Sequence, residues 1–319
     1  MDLQIFAQKM NLAFLNTLET TAAQGPFDDC LSRLESTQRV EDYASLSPLP
    51  GVQQYKGHRR FGRLGEIDFK VANIEFDNAV EVKARDIRDG TGIAGYEAAM
   101  SGLAELCKQY SMLHALQTLA AGSSTTCWDN SNFFATSHNL GVTGYMNNLM
   151  SGSGTDVADS VAYKLILLVK TRKIKPVVWQ NRLDPMLDND TDDAQARMAK
   201  MYHWWCDMEG NSFLTYWFDA IQYTFTGQPT LAELKTVMAS MQARLRTFRL
   251  PQARSGDSPQ RVHEQLVFNP STVSWVCSTM LENKVDQLLS NDIVILGGAQ
   301  TSNEFKGKGK LVVSGFLDA

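Results

Sequence analysis

Three side chains in a polar stretch of the chain are of the types that perform nucleophilic chemistry. Cys127, Asp129 and His138 lie within one segment of twelve residues. A cysteine nucleophile needs an activated thiolate and a base within hydrogen-bond reach. The stretch offers no identifiable oxyanion donor and no third group that would orient the histidine. The competing interpretation is a structured loop with buried aromatic side chains, which are Trp128, Phe133 and Phe134.

A second candidate site is basic. Within GVQQYKGHRRFGRLGE, glycines surround the cationic residues Lys56, Arg59, Arg60 and Arg63. Glycine and charge together predict an exposed, mobile loop tip. A phosphate site is one interpretation, but no strand-to-helix transition follows the glycines, as such a site requires. We therefore favour contact between this basic tip and the acidic face of a neighbouring copy.

The acidic stretch DPMLDNDTDD has the first three ligand spacings of a calcium-binding loop, at Asp188, Asp190 and Asp192. Asp193, however, stands where such a loop needs glycine, and Ala199 stands where it needs a bidentate glutamate. We therefore predict a solvated acidic loop over this stretch, and no metal or cofactor site in the chain.

The element that must position the basic tip is an extended ribbon. Ile67, Phe69 and Val71 alternate with polar residues, and after Asn73 the alternation changes parity. Alternation predicts a strand with one buried face, and a change of parity predicts a bulge or a bend. Beyond the bend, the apolar face is carried by Ile74, Phe76, Val80 and Val82.

A long helix follows the ribbon. The turn at residues 86–92 offers Asp89 or Thr91 as the N-cap, apolar residues then keep helical spacing from Ile93 to Ala120, and Gly122 is a good stop. About 28 residues of helix span about 42 Å. A long ribbon leading into a long helix is poorly suited to a compact enzyme core. It suits a protein that reaches over its neighbours.

Other elements are predicted on both sides of this unit. An amphipathic N-terminal arm places its apolar side chains on roughly one side, namely Ile5, Phe6, Leu12, Leu15 and Leu18. We expect helices at 156–168, 230–248 and 271–289, and strands at 174–180, 265–270, 293–296 and 310–314. The aromatic residues concentrated between 198 and 225 have few basic neighbours, so they indicate a core or an interface rather than a base-stacking platform.

Composition restricts the classes of function. The chain has 319 residues, 44% of them hydrophobic, which is enough for a real core in two lobes. Its net charge of −5 does not favour binding of free nucleic acid by bulk electrostatics, although enclosing nucleic acid requires no such charge. Five scattered cysteines without a CxxC pair predict reduced thiols. No apolar run of about 18 residues predicts a membrane span, and the N-terminus does not resemble a secretion signal.

The order of several motifs resembles the Mu-like major head subunits of tailed bacteriophages, which have the Hong Kong 97 capsid fold. These motifs are Tyr55-Lys-Gly57 with Arg59, the ribbon VANIEFDNAVEVKARDIRDG, the helix end LQTLAAG, Trp128-Asp129 with NFFATSH, LVFNPSTVSWVCSTML, and the closing TSNEFKGKGKLVVSGFLD. The chain departs from the family pattern at Asp129-Asn130, where the family often has aspartate-glycine. It departs again at NSFLTYWFDA, where a glycine-aromatic-Trp-Gln stretch is common. Both departures suggest a distant member.

The resemblance implies an α+β fold with five segments. Residues 1–46 would be an N-terminal arm, and 47–85 an extended β-hairpin loop with the basic tip. Residues 86–154 would be a peripheral domain with a spine helix at 93–121. Residues 155–300 would be an axial domain, and 301–319 a C-terminal strand that returns to the body.

The resemblance also implies assembly rather than catalysis. Subunits would join as hexamers and pentamers into an icosahedral head that encloses double-stranded DNA without sequence-specific binding. Because an isolated two-stranded hairpin is marginal in water, a neighbouring subunit is expected to cover the apolar residues of the ribbon. The expected inter-subunit contacts of the extended loop are Lys56, Arg59, Arg60, Arg63, Phe69, Ile74 and Phe76.

Further partners and alternatives remain at this stage. A separate scaffold, a portal and a cement protein are expected partners, and no membrane is. The protein would be made in the bacterial host cytoplasm and end in the virion. An encapsulin-type protein compartment, which shares the fold, is one alternative function, although the Mu-like motifs argue against it. An enzyme that uses Cys127 or His138 is another.

Overall fold

Two sheets and the helices packed on them form the body of the protein. The computed structural model describes residues 2–20, 25, 27–43, 69–139, 144–191, 193–250, 260–296 and 298–318, with residues 158–160 described for the backbone alone. The helices are α1 (Leu3–Thr20), α2 (Ala84–Asp89), α3 (Ile93–Ala120), α4 (Ala194–Ala199), α5 (Leu231–Thr247) and α6 (Glu282–Ser290). The strands are β1 (Leu31–Glu35), β2 (Val40–Asp42), β3 (Lys70–Ala72), β4 (Ile74–Lys83), β5 (His138–Asn139), β6 (Tyr145–Met146), β7 (Leu149–Ser153), β8 (Val157–Val169), β9 (Val177–Asn189), β10 (Met201–Leu214), β11 (Ala220–Gln228), β12 (Val273–Cys277), β13 (Ile293–Leu296), β14 (Ala299–Ser302) and β15 (Lys310–Val313).

The smaller sheet supports the long helix. Its strand order is β1-β9-β10-β4, with β1 parallel to β9 and the other pairs antiparallel. Helix α3 packs on β9 and β10, and α1 packs on α3. The ring of Phe6 in α1 lies 5.9 Å from that of Tyr96 in α3 and 5.4 Å from that of Trp204 in β10. Helix, helix and sheet therefore share one apolar core.

The larger sheet forms the second part of the body. Its order is β15-β12-β8-β11-β7, and β8 lies between antiparallel partners on both sides. Residues 165–169 of β8 are completely buried, because helices and loops cover both faces at this point. Helix α5 contacts β11, and α6 contacts β15 and α5.

The long helix has its predicted bounds, but the predicted N-cap, Asp89 or Thr91, is wrong. No side chain caps α3, and its N-cap is Gly92 with φ of +75°. Residues that were predicted as a turn form the short helix α2, which ends at Gly90 in the left-handed conformation. Asp86 accepts a hydrogen bond of 2.7 Å from the Tyr96 hydroxyl and so ties α2 to α3.

Helix α5 is also confirmed, because local chemistry determines both of its ends. Thr230 accepts from the Glu233 backbone N–H, and the Glu233 carboxylate accepts from the Thr230 backbone N–H, so the two form a capping box. Arg244 and Arg246 lie in the last turn, where their positive charges interact favourably with the negative end of the helix dipole. The aromatic stretch at 198–225 is confirmed as core, since Trp204, Trp217 and Phe218 are completely buried.

Several predicted elements are wrong. The expected helix at 156–168 is strand β8. The expected strand at 265–270 is absent from this fully described stretch, and the first part of the expected helix at 271–289 is strand β12. Most of the expected acidic loop at 184–193 belongs to β9. These strands are stabilised by burial on both faces or by pairing with strands that are distant in sequence. Their local hydrophobic pattern therefore gave the wrong prediction.

The sheets do not follow the five predicted segments. The smaller sheet combines strands from the predicted arm, the extended loop and the axial segment. Strand β15, in the segment predicted to return to the body, pairs with β12 in the larger sheet. All five cysteines are buried free thiols. Among the helices of the described residues, none combines the length and apolarity that spanning a membrane would require.

Candidate functional site

The three candidate nucleophile residues meet in a buried hydrogen-bonded cluster. The Cys127 thiol donates to Asp129 Oδ1 at 3.0 Å, and His138 Nδ1 lies 2.8 Å from Asp129 Oδ2. The Ser131 backbone N–H also donates to Oδ1, at 3.0 Å. The Asp129 carboxylate therefore receives three hydrogen bonds and is the third group that the sequence did not reveal.

The second ring nitrogen of His138 is also occupied. His138 Nε2 lies 3.1 Å from the Asn148 side-chain oxygen. The orientation of Asn148 is fixed, since its amide nitrogen donates to the carbonyls of Phe133 and Trp217, and its oxygen accepts from the Ala135 N–H. Both ring nitrogens of His138 thus lie within hydrogen-bond distance of side-chain oxygens, those of Asp129 and Asn148. It stacks on Trp217 at 4.1 Å with an interplanar angle of 8°.

This geometry does not support a cysteine nucleophile. Burial, followed by the adjacent charge of Asp129, raises the pKa of the Cys127 thiol far above its ordinary value. Burial alone would raise the pKa of Asp129, but the hydrogen bonds from His138 and Cys127 outweigh it and lower that pKa. A protonated thiol is a poor nucleophile, and the ring nitrogens of His138 are hydrogen-bonded to Asp129 and Asn148 rather than to that thiol.

The same cluster is the one group in the described residues whose spacing would suit a metal ion. One ligand atom from each of Cys127, Asp129 and His138 lies within 4.8 Å of the others. These atoms, however, already satisfy one another by hydrogen bonds, with Asn148 and Ser131 completing the network. Through Asn148, these hydrogen bonds connect the loop after α3 to Trp217, which lies just before β11.

The predicted contact residues of the extended loop divide into two groups. Lys56, Arg59, Arg60 and Arg63 lie outside the described residues. The other three residues, Phe69, Ile74 and Phe76, lie at or beyond the base of the loop, in or next to β3 and β4.

The expectation that a neighbour must cover the apolar face of the ribbon is wrong for most of that face. Phe69 is buried against Phe213, with the rings 5.8 Å apart. Phe76 packs on Tyr110 of α3 at 4.7 Å and on His114 at 5.4 Å. Phe69, next to β3, is therefore buried on β10, and the half-buried Phe76 of β4 packs on the long helix of its own chain. Ile74 differs, because 44% of it is exposed.

The outer face of the smaller sheet is acidic. We call the side opposite α3 the acidic face; it carries Glu75, Asp77, Glu81, Asp188, Asp207 and Glu209. Asp77 lies directly opposite Asp207, and Glu75 directly opposite Glu209. Like charges in opposite positions on a sheet are destabilising, so this arrangement weakens the isolated chain.

Few cations balance this face within the described chain. Arg182 pairs with Glu209 at 2.5 Å, and His203 lies 2.6 Å from Asp190 and 3.7 Å from Glu81. The hydrogen bond to Asp190, with the nearby carboxylates, raises the pKa of His203. The face therefore keeps an excess of negative charge at neutral pH.

Helix α1 has two apolar sides rather than the single side predicted. Phe6, Met10 and Phe14 are completely buried against the body. Ile5, Leu12 and Leu15 are each at least half exposed. The sequence interpretation grouped Phe6 with Ile5 and Leu12, which is wrong, because adjacent residues on a helix point about 100° apart. The omission of Met10 and Phe14 concealed the second side.

The family comparison covers nearly the whole chain. The model of the family described as "Mu-like prophage major head subunit gpT" matches residues 3–317. The chain belongs to the Mu-like prophage major head subunits. It is therefore a major capsid protein of a tailed phage, and the match decides against the encapsulin alternative.

Relatives of this head subunit are distant but similar in length. It is 25% identical over 301 residues to the Mu-like prophage FluMu major head subunit of Haemophilus influenzae, with 92% of each chain covered. It is 24% identical over 310 residues to the major capsid protein of Escherichia phage Mu, covering 92% of this chain and 94% of that one.

Solved capsids share the fold of this head subunit. The procapsid subunit of bacteriophage JBD30 superimposes with a TM-score of 0.72 at 21% identity, covering 99% of this chain and 98% of that chain. The JBD30 capsid subunit gives 0.72 at 17% identity, covering 94% and 93%. The predicted α+β capsid fold of the Hong Kong 97 type is thus confirmed.

Proposed function

We propose that this head subunit assembles as hexamers and pentamers into an icosahedral head that encloses double-stranded DNA. The exposed apolar side of α1 is the observation that carries this proposal. Three large aliphatic residues, Ile5, Leu12 and Leu15, are at least half exposed on a helix whose opposite side is already buried. An apolar side of a helix is normally buried against another element. A second subunit is the cover we propose.

In this proposal, the acidic face determines how neighbouring subunits are aligned with each other. Its opposed like charges favour a cationic partner, and the basic tip with Lys56, Arg59, Arg60 and Arg63 provides one on a neighbouring subunit. Complementary charge fixes orientation and partner choice more than it adds affinity. Ile74, exposed on the opposite face of β4, would lie in a separate contact with a neighbour. Because such contacts repeat around a closed shell, weak individual contacts suffice.

The wider assembly is proposed in coarser terms. A separate scaffold and a portal would direct assembly in the host cytoplasm. A cement protein would bind the finished head; one JBD30 capsid structure that shares this fold, with a TM-score of 0.70, is described as decorated with minor capsid protein trimers. The head subunit itself would act through its surfaces rather than through a catalytic site.

Charge on the outer side of α1 tests the proposal. The double variant Leu12→Glu/Leu15→Glu should fold, with a free energy of unfolding within about 1 kcal/mol of wild type, because both positions are exposed in the subunit. It should form no closed shells, because two charges would be buried without partners at the contact. Negative-stain electron microscopy and sedimentation velocity measure this outcome.

A matched control separates charge from position. Asn283→Glu/Gln287→Glu adds the same charge at exposed polar positions of α6 and should leave shell yield unchanged. Wild-type shell yield from Leu12→Glu/Leu15→Glu would reject α1 as a contact. If wild-type subunits form no shells even with the scaffold supplied, the assembly proposal itself fails.

A further inference from the structure

Two lysine-rich loops stand out against the acidic composition of the chain. The loop between β8 and β9 reads Lys-Thr-Arg-Lys-Ile-Lys over residues 170–175, and the turn before β15 reads Lys-Gly-Lys-Gly-Lys over 306–310. The family comparison assigns a role to neither. In a chain with a net charge of −5, such local concentrations of cations need an explanation.

The fold brings the two loops to the same end of the larger sheet. Lys170 directly follows β8, where Val169 pairs with Val273 at the start of β12. Lys310 begins β15, opposite Ser274 of β12. Lys170 and Lys310 therefore lie two strands apart, about 10 Å between backbones. We call Lys170, Lys173, Lys175, Lys308 and Lys310 the lysine cluster.

The position of the turn before β15 is fixed by close contact with a tryptophan. A Cβ on Gly309 would lie 2.5 Å from the Trp275 ring, and its φ of +148° also requires glycine. The Trp275 indole N–H donates to the Lys308 carbonyl at 3.1 Å. The turn thus lies flat on the ring, and Lys308 and Lys310 extend from a rigid base.

The opposite loop is fixed as firmly. Lys170 is buried and donates to the Pro270 carbonyl at 2.8 Å, while Lys175 donates to the Leu31 carbonyl at 3.0 Å. The Lys175 backbone N–H donates to the Ser32 hydroxyl at 2.9 Å. These contacts hold the loop against β1 and leave Lys173 exposed at its tip.

Anionic partners for this cluster are scarce. Asp29 is the one carboxylate among the described residues that pairs with these five lysines, at 2.6 Å from Lys310 and 3.8 Å from Lys170. Burial lowers the pKa of Lys170, and the charges of Lys310 and Lys175 act in the same direction. Positive charge that the chain does not pair therefore remains on Lys173, Lys175 and Lys308, while Lys170 and Lys310 share Asp29.

We infer that the lysine cluster binds the phosphate backbone of double-stranded DNA. Lysine ammonium groups are strongly hydrated point charges, suited to phosphate contacts that carry no sequence information. DNA carries one negative charge per about 1.7 Å of its axis, so the four members of the cluster that are not buried, Lys173, Lys175, Lys308 and Lys310, can meet several phosphates. The inference rests on the proposed function, in which the head encloses DNA, and adds where the subunit touches it.

An acidic segment of another protein is the competing occupant. Lysine is depleted in protein–protein interfaces, where arginine and aromatic residues dominate. The cluster contains no arginine that is available for a fork-like pair, because Arg172 is held by Asp219 at 2.7 Å. Both points favour phosphate over carboxylate. The experiment distinguishes the two occupants.

The test measures binding of a short labelled DNA duplex to full-length unassembled subunits by fluorescence anisotropy across salt concentrations. Lys173→Gln/Lys308→Gln removes two charges that hold no salt bridge in the described structure. Each phosphate contact adds about 0.9 to the slope of log affinity against log salt, so the slope should fall by about 2. Wild-type affinity should thus drop about tenfold more than that of the variant between about 50 and 200 mM salt.

Lys83→Gln/Lys200→Gln is the matched control, with the same charge change next to the acidic face. The inference is supported if only the cluster variant loses slope. It is overturned if the wild-type subunit does not bind the duplex, if both variants behave alike, or if polyglutamate competes as well as DNA. It is also overturned if the cluster variant fails to form shells that wild type forms, because the cluster would then be a subunit contact. Absence of wild-type shells would instead reject the proposed function.

Discussion

At the scale of single residues, the cluster around Asp129 shows a buried charge that is fully compensated. The Asp129 carboxylate and the His138 ring are both nearly inaccessible to water, which carries a large desolvation penalty for the charge of Asp129. Three donors to Asp129 and two acceptors around His138 offset that penalty. Removing one member therefore costs more than the loss of one hydrogen bond.

Asp129→Asn should lower the free energy of unfolding by about 3 kcal/mol at neutral pH. The asparagine nitrogen would face a donor, since Cys127 and Ser131 occupy one side of the carboxylate and His138 the other. The native pKa of Asp129 is lowered, so its carboxylate stabilises the fold above about pH 4 and loses this contribution as the pH falls further. Urea unfolding at several pH values should show the difference between wild type and variant narrowing towards acid pH.

Cys127→Ser is the control for this prediction. Serine keeps a donor for Asp129 Oδ1, so the loss should be only about 1 kcal/mol. An Asp129→Asn variant no less stable than Cys127→Ser would show that the carboxylate is not the anchor of the loop.

Sequence patterns could identify part of this cluster but not its meaning. Cys127, Asp129 and His138 are close along the chain, so their types and spacing were visible. Asn148 and Trp217 are ten and 79 residues beyond His138, and no local pattern places them there. Asn148 occupies the second ring nitrogen of His138, and Trp217 stacks on its ring. The sequence therefore could not test the nucleophile hypothesis, because the contacts of Asn148 and Trp217 with His138 were not visible in it.

At the scale of elements, α3 and β4 form a unit within one subunit. Phe76→Ala should lower the free energy of unfolding by about 3 kcal/mol, because its ring packs on Tyr110, His114 and Trp179. Ile74→Ala should change it by no more than about 0.5 kcal/mol, because Ile74 is exposed. Chemical denaturation of unassembled subunits measures both values.

Shell yield gives the complementary measurement for this pair. If a neighbour covers Ile74 in the head, Ile74→Ala lowers shell yield while leaving the subunit's stability intact. A large destabilisation by Ile74→Ala, or none by Phe76→Ala, would contradict this division. It would instead support the expectation that a neighbour covers the whole apolar face of β4.

Elements with strong local signals were predictable, and buried strands were not. Helix α3 was found with its bounds because apolar residues keep helical spacing for 28 residues. Strand β8 was mistaken for a helix because a central strand buried on both faces shows a continuous apolar run without alternation. Strand β12 is buried at every position and failed for the same reason.

At the scale of the whole molecule, the acidic face lowers the stability of the free subunit. In the proposed assembly it is complementary to a cationic segment of a neighbour. Asp77→Lys should raise the free energy of unfolding by about 0.5 kcal/mol, because an attraction to Asp207 replaces a repulsion. The same change should lower shell yield if a cationic segment of a neighbour binds this face. Thermal unfolding and negative-stain microscopy on one preparation test both effects.

Glu105→Lys is the control for net charge, since Glu105 is exposed on α3, away from the acidic face. It should leave shell yield near that of wild type. If Asp77→Lys assembles as well as Glu105→Lys, the acidic face has no partner in the shell.

The pairing of β1 with β9 has a consequence for synthesis on the ribosome. Leu31 pairs with Val177, which is made 146 residues later. At about 5–20 residues per second, β1 waits about 7–30 s for its partner strand. During that interval the smaller sheet, on which α3 and α1 rest, cannot close. A nascent chain therefore cannot present a finished α1 surface to other chains until more than half of the subunit has been made, so the order of translation itself delays association.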